Sequence, residues 1–293
     1  MHTEETATIT SWLQQCGLPR IEGRMLVQHL LSVTHSYLIA HGSRKLSLPE
    51  QQWLNQQAAR RKAGEPLAYL LGYREFYGRC FKVSDAVLIP RPETEHLVEA
   101  AISHLPEGGC IWDLGTGSGA IAVTIACERP DVQVWATDIS AEALAIASDN
   151  AAYLNTSIQF GQGSWFQAQP QPAKNSVDVI VANPPYIAAN DEHLQQGDLR
   201  FEPQHALTDY HNGLTALDTI IAGAPAYLRN NGWLLLEHGY DQGRAVRDRL
   251  TQHSFENIQT LVDLAGLERV TLGQIKHYVV HPPINSEIKI TAV

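Results

Sequence analysis

The sequence predicts an α/β protein, with a doubly wound, mostly parallel sheet behind a small N-terminal helical domain. Three observations carry this. From residue 93 onward, short runs rich in apolar and β-branched residues alternate with longer stretches of helical periodicity, the pattern of a parallel sheet with crossover helices. A glycine-rich turn, Gly115-Thr116-Gly117-Ser118-Gly119, joins the first of those strands to a helix. The rigid turn Asn183-Pro184-Pro185-Tyr186 closes the fourth.

In chain order, residues 10–16, 23–35 and 49–62 carry apolar side chains at helical spacing, as in Met25, Leu26, His29, Leu30 and Val33. Gly17-Leu18-Pro19 and His41-Gly42-Ser43 separate these segments, and Pro49 suits the first turn of a helix. Residues 75–90 alternate as a hairpin does, with Phe76, Phe81, Val83, Val87 and Ile89 inward. The expected division is a helical domain over 1–73, a hairpin linker over 74–91 and a sheet domain over 92–293. Strands are expected at 110–114, 132–137, 157–161, 177–182, 233–238 and 257–262, with one or two more within 268–280. Helices are expected at 94–104, 120–128, 141–154, 213–228 and 242–252. Ligands of such sheets sit outside the carboxyl ends of the strands, near the point where strand order reverses.

Composition narrows the chemistry. At 293 residues, 44% apolar and 18% charged, the chain suits one large domain plus a smaller one. No apolar run approaches the length of a membrane span, and the acidic start Met1-His2-Thr3-Glu4-Glu5 lacks signal-peptide features, so a cytoplasmic protein is expected. Cys16, Cys80, Cys110 and Cys127 have no metal-ligand or disulfide spacing, and the thirteen histidines form no HExxH, so no metal is expected. Thr116 stands where a nucleophile elbow around Ser118 would need glycine. The net charge of −10 divides into +3 over residues 1–85 and −13 beyond, and an acidic second half is a poor match for nucleic acid. The basic run Arg60-Arg61-Lys62 reads either as a docking surface or as a solvated helix face.

The glycine turn follows Ile111-Trp112-Asp113-Leu114, and Asp138 ends the next strand. Glycines let a backbone approach a ligand closely, the helix start offers free N–H groups, and a carboxylate at Asp138 can accept both hydroxyls of a ribose. The arrangement suits a nucleoside-containing cofactor, and at this level a dinucleotide, a methyl donor and a purely structural turn all remain open. Asp113 ahead of the glycines and the position of the Asn183 turn favour S-adenosylmethionine. Asp-Leu-Gly-Thr-Gly-Ser-Gly looks like the first motif of class I S-adenosylmethionine-dependent methyltransferases, which implies a seven-stranded sheet of that type.

Val177-Asp178-Val179-Ile180-Val181-Ala182 reads as a buried parallel strand that the two prolines terminate. The turn then offers the Asn183 side-chain oxygen, the Pro184 carbonyl and the aromatic face of Tyr186, a set that can grip a flat NH2 group. Such a nitrogen is a weak nucleophile because its lone pair is delocalised. Catalysis would then rest on alignment, with two acceptors stabilising positive charge on nitrogen and no strong base required.

Over nearly its whole length the chain resembles the HemK/PrmC enzymes, which methylate a glutamine side-chain amide in peptide-chain release factors. The resemblance lies in Glu65-Pro66-Leu67-Ala68-Tyr69-Leu70-Leu71-Gly72, Phe76-Tyr77-Gly78, Val87-Leu88-Ile89-Pro90-Arg91-Pro92-Glu93-Thr94-Glu95, the glycine turn, Asn183–Tyr186, Glu202-Pro203 and Asp263-Leu264-Ala265-Gly266 with Arg269. It implies that Gly115, Thr116, Gly117, Ser118, Gly119, Asp138, Trp165 and Asn183 contact S-adenosylmethionine. It also implies that Asn183, Pro184, Pro185 and Tyr186 hold the glutamine of a Gly-Gly-Gln loop, and that the helical front docks the release factor. Arg91 and Glu93 could shape the substrate mouth, although a salt-bridged helix start is the plainer reading of those residues. The family usually has Asp where Asn212 stands, and Asn is expected to cap the following helix as well. Nothing argues against a monomer. Glutamine methylation of a ribosomal protein, adenine methylation, and binding without catalysis are the rivals.

Overall fold

The computed structural model describes residues 7–276. The acidic start and the end of the last expected strand lie outside the described residues. Five helices form the front: α1 (Ile9–Gln15), α2 (Arg20–Leu31), α3 (His35–Ala40), α4 (Leu48–Lys62) and α5 (Leu67–Leu71). The helix expected over 23–35 is α2, which ends at Leu31, and a separate helix that was not expected, α3, begins at His35. Ser32 adopts a left-handed conformation that ends α2, and the Thr34 hydroxyl caps α3. Ser47 and Glu50 form a reciprocal capping box on α4, with Pro49 in its first turn. Trp12, Leu26, Val27, Leu54 and Leu70 close these helices around a core of their own. The basic run at the end of α4 is mostly engaged: Arg60 pairs with Glu65, and Arg61 bridges Glu22 and Asp198 at 2.9 and 3.1 Å. It is therefore not an open basic patch.

Strands β1 (Tyr73–Phe76) and β2 (Arg79–Lys82) form the expected hairpin, turned by Tyr77 and Gly78, both at positive φ. All five residues expected to point inward are buried. Phe76 and Phe81 join the core of the sheet, while Val83 and Val87 pack on Ala143 and Ile146.

The remainder comprises α6 (Glu95–His104), β3 (Cys110–Leu114), α7 (Ala120–Glu128), β4 (Gln133–Asp138), α8 (Ala141–Tyr153), β5 (Gln159–Gln162), β6 (Val177–Ala182), α9 (Gln204–Leu207), α10 (Thr215–Gly223), β7 (Leu228–Glu237), α11 (Gly243–Gln252), β8 (Phe255–Val262) and β9 (Glu268–Ile275). The expected helix over 213–228 is shorter because a 3-10 turn containing Pro225 follows α10 and the chain then enters β7. Seven strands form one sheet in the order β5-β4-β3-β6-β7-β9-β8, parallel except where β9 runs against both neighbours. This is the doubly wound, mostly parallel architecture that the alternation predicts. Residues alternate between two cores: Ile111, Val179, Val181 and Leu235 on one face, and Trp112, Leu114, Ile180, Leu234 and Leu236 on the other. The order reverses between β3 and β6, so the carboxyl ends of these two strands flank the crevice where a ligand belongs.

Candidate active site

A cavity of about 340 Å³ opens at that crevice. The glycine turn forms its floor. Gly115 and Thr116 donate their N–H groups to the Thr137 carbonyl at 2.8 and 3.0 Å, which ties the end of β3 to the end of β4. Gly115 has φ +74°, and a Cβ there would lie 3.3 Å from the Trp165 ring, so the bare backbone keeps the space beneath that indole. Trp165 itself holds φ +45°, a costly conformation for a bulky residue and one that clusters at functional sites. It lines the cavity and also rests against the core on that face of the sheet.

Asp138 ends β4 at the cavity wall. Its Oδ2 accepts the Gly117 N–H and its Oδ1 the Ser140 N–H, both at 2.9 Å, and each oxygen keeps lone-pair capacity for a hydroxyl donor. A carboxylate of this kind, a glycine floor and an aromatic wall fit a nucleoside-bearing methyl donor. Asp113 lies beneath the turn rather than on the cavity wall. It is 1% exposed, its Oδ2 accepts the Thr116 hydroxyl at 2.7 Å, and its Oδ1 has no hydrogen-bond partner. Burial lifts its pKa to about 7, against the Thr116 hydrogen bond and the Ala122 N–H, which faces the carboxylate from outside hydrogen-bonding geometry.

Asn183 and Pro185 line the cavity, while Pro184 is buried behind them and Tyr186 turns aside. Asn183 Nδ2 donates to Thr94 Oγ1 at 3.2 Å, and its Oδ1 carries no hydrogen bond. No backbone donor meets the Pro184 carbonyl. The Tyr186 hydroxyl donates to Glu237 Oε1 at 3.4 Å. Glu237, at the end of β7, is 1% exposed and has an unpartnered Oε2. Burial raises it to about 7, while the nearby Thr94 and Tyr186 hydroxyls and the Arg269 charge oppose the rise.

Arg91 lines the cavity and pairs with Glu202, whose side chain is fully buried and whose Oε2 accepts the Ile89 N–H at 3.1 Å. The salt bridge expected at the start of α6 thus runs to a residue 111 positions away. Glu93 does not line the cavity; it acts on Glu237 and Arg269 through its charge.

Several residues of the site escaped sequence reasoning. Gln242 Nε2 donates to the carbonyls of Tyr186 and Gly213 at 3.0 and 3.1 Å, stapling the Asn183 turn from α11. Asn212 does not cap α10. Its side chain accepts the Leu214 N–H, and Asp209 accepts the Thr215 N–H at 2.8 Å together with those of His211 and Gly213. Thr208, Asp209 and Tyr210 then wall the cavity. Glu237 could have been found in the sequence, since a carboxylate closing the leucine run Leu234-Leu235-Leu236 falls at the carboxyl end of a buried strand.

Comparison with known proteins gives concordant results. The family model for the PrmC N-terminal domain matches residues 7–72, and that for the methyltransferase small domain matches residues 94–199. The release factor glutamine methyltransferase of Neisseria gonorrhoeae is 54% identical over 271 residues, covering 92% of this chain and 99% of that protein. The enzyme of the same name from Bordetella pertussis is 48% identical over 261 residues, covering 88% and 96%. The crystal structure of a methyltransferase from Pyrococcus furiosus superposes with a TM-score of 0.53 at 14% identity, covering 76% of this chain and 99% of that one, and supports the fold.

Proposed function

The chain belongs to the release factor glutamine methyltransferase family, and on that premise we propose that Asn183, Pro184 and Tyr186 hold the glutamine amide of a release-factor Gly-Gly-Gln loop for methylation. The enzyme is an S-adenosylmethionine-dependent protein-glutamine N-methyltransferase. When bound, S-adenosylmethionine supplies an electrophilic methyl group. Gly115, Gly117, Asp138 and Trp165 would hold it, with Thr116, Ser118 and Gly119 shaping the turn and Asp113 supporting it from below. The observation that carries this reading is the pair of unengaged acceptors, Asn183 Oδ1 and the Pro184 carbonyl, on a turn held from behind by Thr94, Glu237 and Gln242.

Two acceptors match the two N–H groups of a primary amide and favour positive charge building on its nitrogen. Positioning is the main contribution such a site makes, worth about 7–11 kcal/mol in well-oriented systems. Pro185 borders the flat amide from the cavity wall, Tyr186 anchors the turn through its hydroxyl on Glu237, and Arg91, braced by Glu202, borders the mouth. We assign residues 1–73 to docking of the release factor, 74–91 to the hairpin linker and 92–293 to the methyltransferase domain. The charge of −13 beyond residue 85 argues against nucleic acid as the direct substrate. Among the described residues no helix is long and apolar enough to cross a membrane, and action on release factors supports a cytoplasmic enzyme.

Incubating a recombinant release factor with enzyme and S-adenosylmethionine, followed by mass spectrometry of the Gly-Gly-Gln peptide, tests the reading. One added methyl on that glutamine is expected. Asn183→Ala should lower turnover by about two to three orders of magnitude, by analogy with losing one preorganised hydrogen-bond partner of a charged transition state. Methyl-donor affinity should change little. An Asn183→Ala enzyme with normal turnover removes the residue from the mechanism.

A further inference from the structure

Tyr186, at the end of the Asn183 turn, is held twice from the end of β7. Its hydroxyl reaches Glu237, and its carbonyl reaches Gln242. The Gln242 amide has only one orientation that satisfies its neighbours. Its Oε1 accepts the Gly239 N–H at 2.8 Å, a group that can only donate. Its Nε2 faces the carbonyls of Tyr186 and Gly213, which can only accept. A flipped amide would set donor on donor and acceptor on acceptor. The same polarity continues behind Gly239. The Gly239 carbonyl accepts the Gln242 N–H at 2.9 Å and lies 2.8 Å from His238 Nδ1, which must therefore carry a hydrogen. His238 is fully buried; burial and the charges of Arg247 on α11 and Arg269 on β9 keep the ring neutral, against the Gly239 carbonyl and Glu268. Its Nε2 is then an acceptor and takes the Thr271 hydroxyl hydrogen at 2.7 Å. Thr260 donates in turn to Thr271 at 2.9 Å, and Arg247 donates to Thr260 at 2.8 Å. Each link runs one way, from Arg247 to the Tyr186 carbonyl.

We propose that Gln242 is a positioning residue for methyl transfer that suspends the Asn183 turn from the end of β7, and that His238, as its Nδ1–H tautomer, fixes the Gly239 turn from which Gln242 reaches. The inference rests on the reading that Asn183 holds the substrate amide. One amide ties two sides of the site together. Gly213 follows the segment whose Thr208, Asp209 and Tyr210 wall the cavity, and the Gln242 Nε2 that holds it also holds Tyr186. Methyl transfer needs the acceptor nitrogen in line with the donor, so a turn free to drift by about an ångström loses turnover while the glycine floor stays intact. His238 lines no part of the cavity and acts through the backbone.

The test compares wild type with Q242M, Q242E, H238N and H238L on a Gly-Gly-Gln peptide. Methyl-donor affinity by calorimetry and melting temperature are measured beside kcat. Q242M nearly keeps the side-chain volume and removes the bonds to Gly239, Tyr186 and Gly213. It should lower kcat roughly ten- to hundredfold, with methyl-donor Kd within about threefold of wild type. Q242E keeps an acceptor for Gly239 but turns a carboxylate oxygen on two carbonyls. Its kcat relative to wild type should climb as pH falls from about 8 to about 6, because a buried carboxyl takes up a proton there and can again donate to one carbonyl. The same ratio for Q242M should stay flat. H238N sets an N–H where the imidazole has Nδ1 and should keep kcat within about threefold, whereas H238L should fall about as far as Q242M. Nitrogen NMR of labelled wild-type protein should show His238 as the Nδ1–H tautomer. The proposal is overturned if Q242M turns over within about twofold of wild type, if the Q242E ratio is flat with pH, if H238N and H238L behave alike, or if His238 is the Nε2–H tautomer. Should H238L fail to fold, the tautomer decides the part of the histidine. Normal Q242M beside a crippled Asn183→Ala would sink the staple alone. An unaffected Asn183→Ala would sink the underlying assignment of the turn.

Discussion

Replacing Gly213 by alanine should impair catalysis from outside the cavity. Gly213 lies between Asp209, which accepts its N–H at 2.9 Å, and Gln242, which donates to its carbonyl at 3.1 Å. Its φ of +78° costs an L residue about 1–2 kcal/mol. A Cβ built there falls well under 3.0 Å from the Tyr186 carbonyl oxygen and lies 2.9 Å from Gln242 Nε2. Both are backbone or hydrogen-bonded atoms, so relief requires the Tyr186 carbonyl to move by more than half an ångström. Such overpacking adds about 1–3 kcal/mol, giving a total destabilisation of about 2–5 kcal/mol. Because Tyr186 continues the turn that presents Asn183, a displacement of this size should lower kcat by about 10- to 100-fold. Methyl-donor affinity should hold, since the glycine turn lies on other strands. Steady-state methylation of a Gly-Gly-Gln peptide, calorimetric titration of the methyl donor and a thermal melt measure the three quantities. A Gly213→Ala protein with kcat within threefold of wild type and an unchanged melting temperature would refute the reasoning.

Asp138→Asn leaves one acceptor where the carboxylate offers two, so methyl-donor Kd should rise by about 10- to 100-fold, an effect of roughly 1.4–2.7 kcal/mol, with kcat at saturation much less affected. Asp113 should act on stability with a definite sign. Its folded pKa, about 7, lies above the ordinary value, so the native state holds a proton that the unfolded chain releases, and stability is lost as pH rises from about 4 through about 7. Asp113→Asn should therefore raise the melting temperature at pH 8 more than at pH 5, and denaturant titrations at the two pH values measure the difference. Arg91→Ala leaves the fully buried Glu202 carboxylate without its charged partner and should destabilise by about 3 kcal/mol in a denaturant melt, whereas Arg91→Lys should cost less.

Local chemistry was legible from the chain. The apolar run of β3 and its glycines, the β-branched run of β6 and its prolines, and the alternation in the hairpin are each contained within a few residues. Periodicity and turn chemistry read such segments directly. Helix ends were less legible: α3 separates from α2 because Ser32 tolerates a left-handed turn, and α10 ends early because Pro225 lies in its path. The cap on the turn before α10 was misread because Asp209 reaches forward six residues to Thr215 while Asn212 serves its own local turn.

The sequence by itself determined the elements and two of their closing turns, since backbone propensity and side-chain periodicity act over a turn or a pleat. Only the tertiary structure decided what supports those turns. Strand order brings Thr94 against Asn183 across 89 positions and Glu237 against Tyr186 across 51, and it sets Arg91 on Glu202 across 111. These contacts leave no periodic trace. A buried hydroxyl, amide or carboxylate takes as partner whatever donor or acceptor the packed sheet places beside it, and that depends on the crossovers of the whole chain.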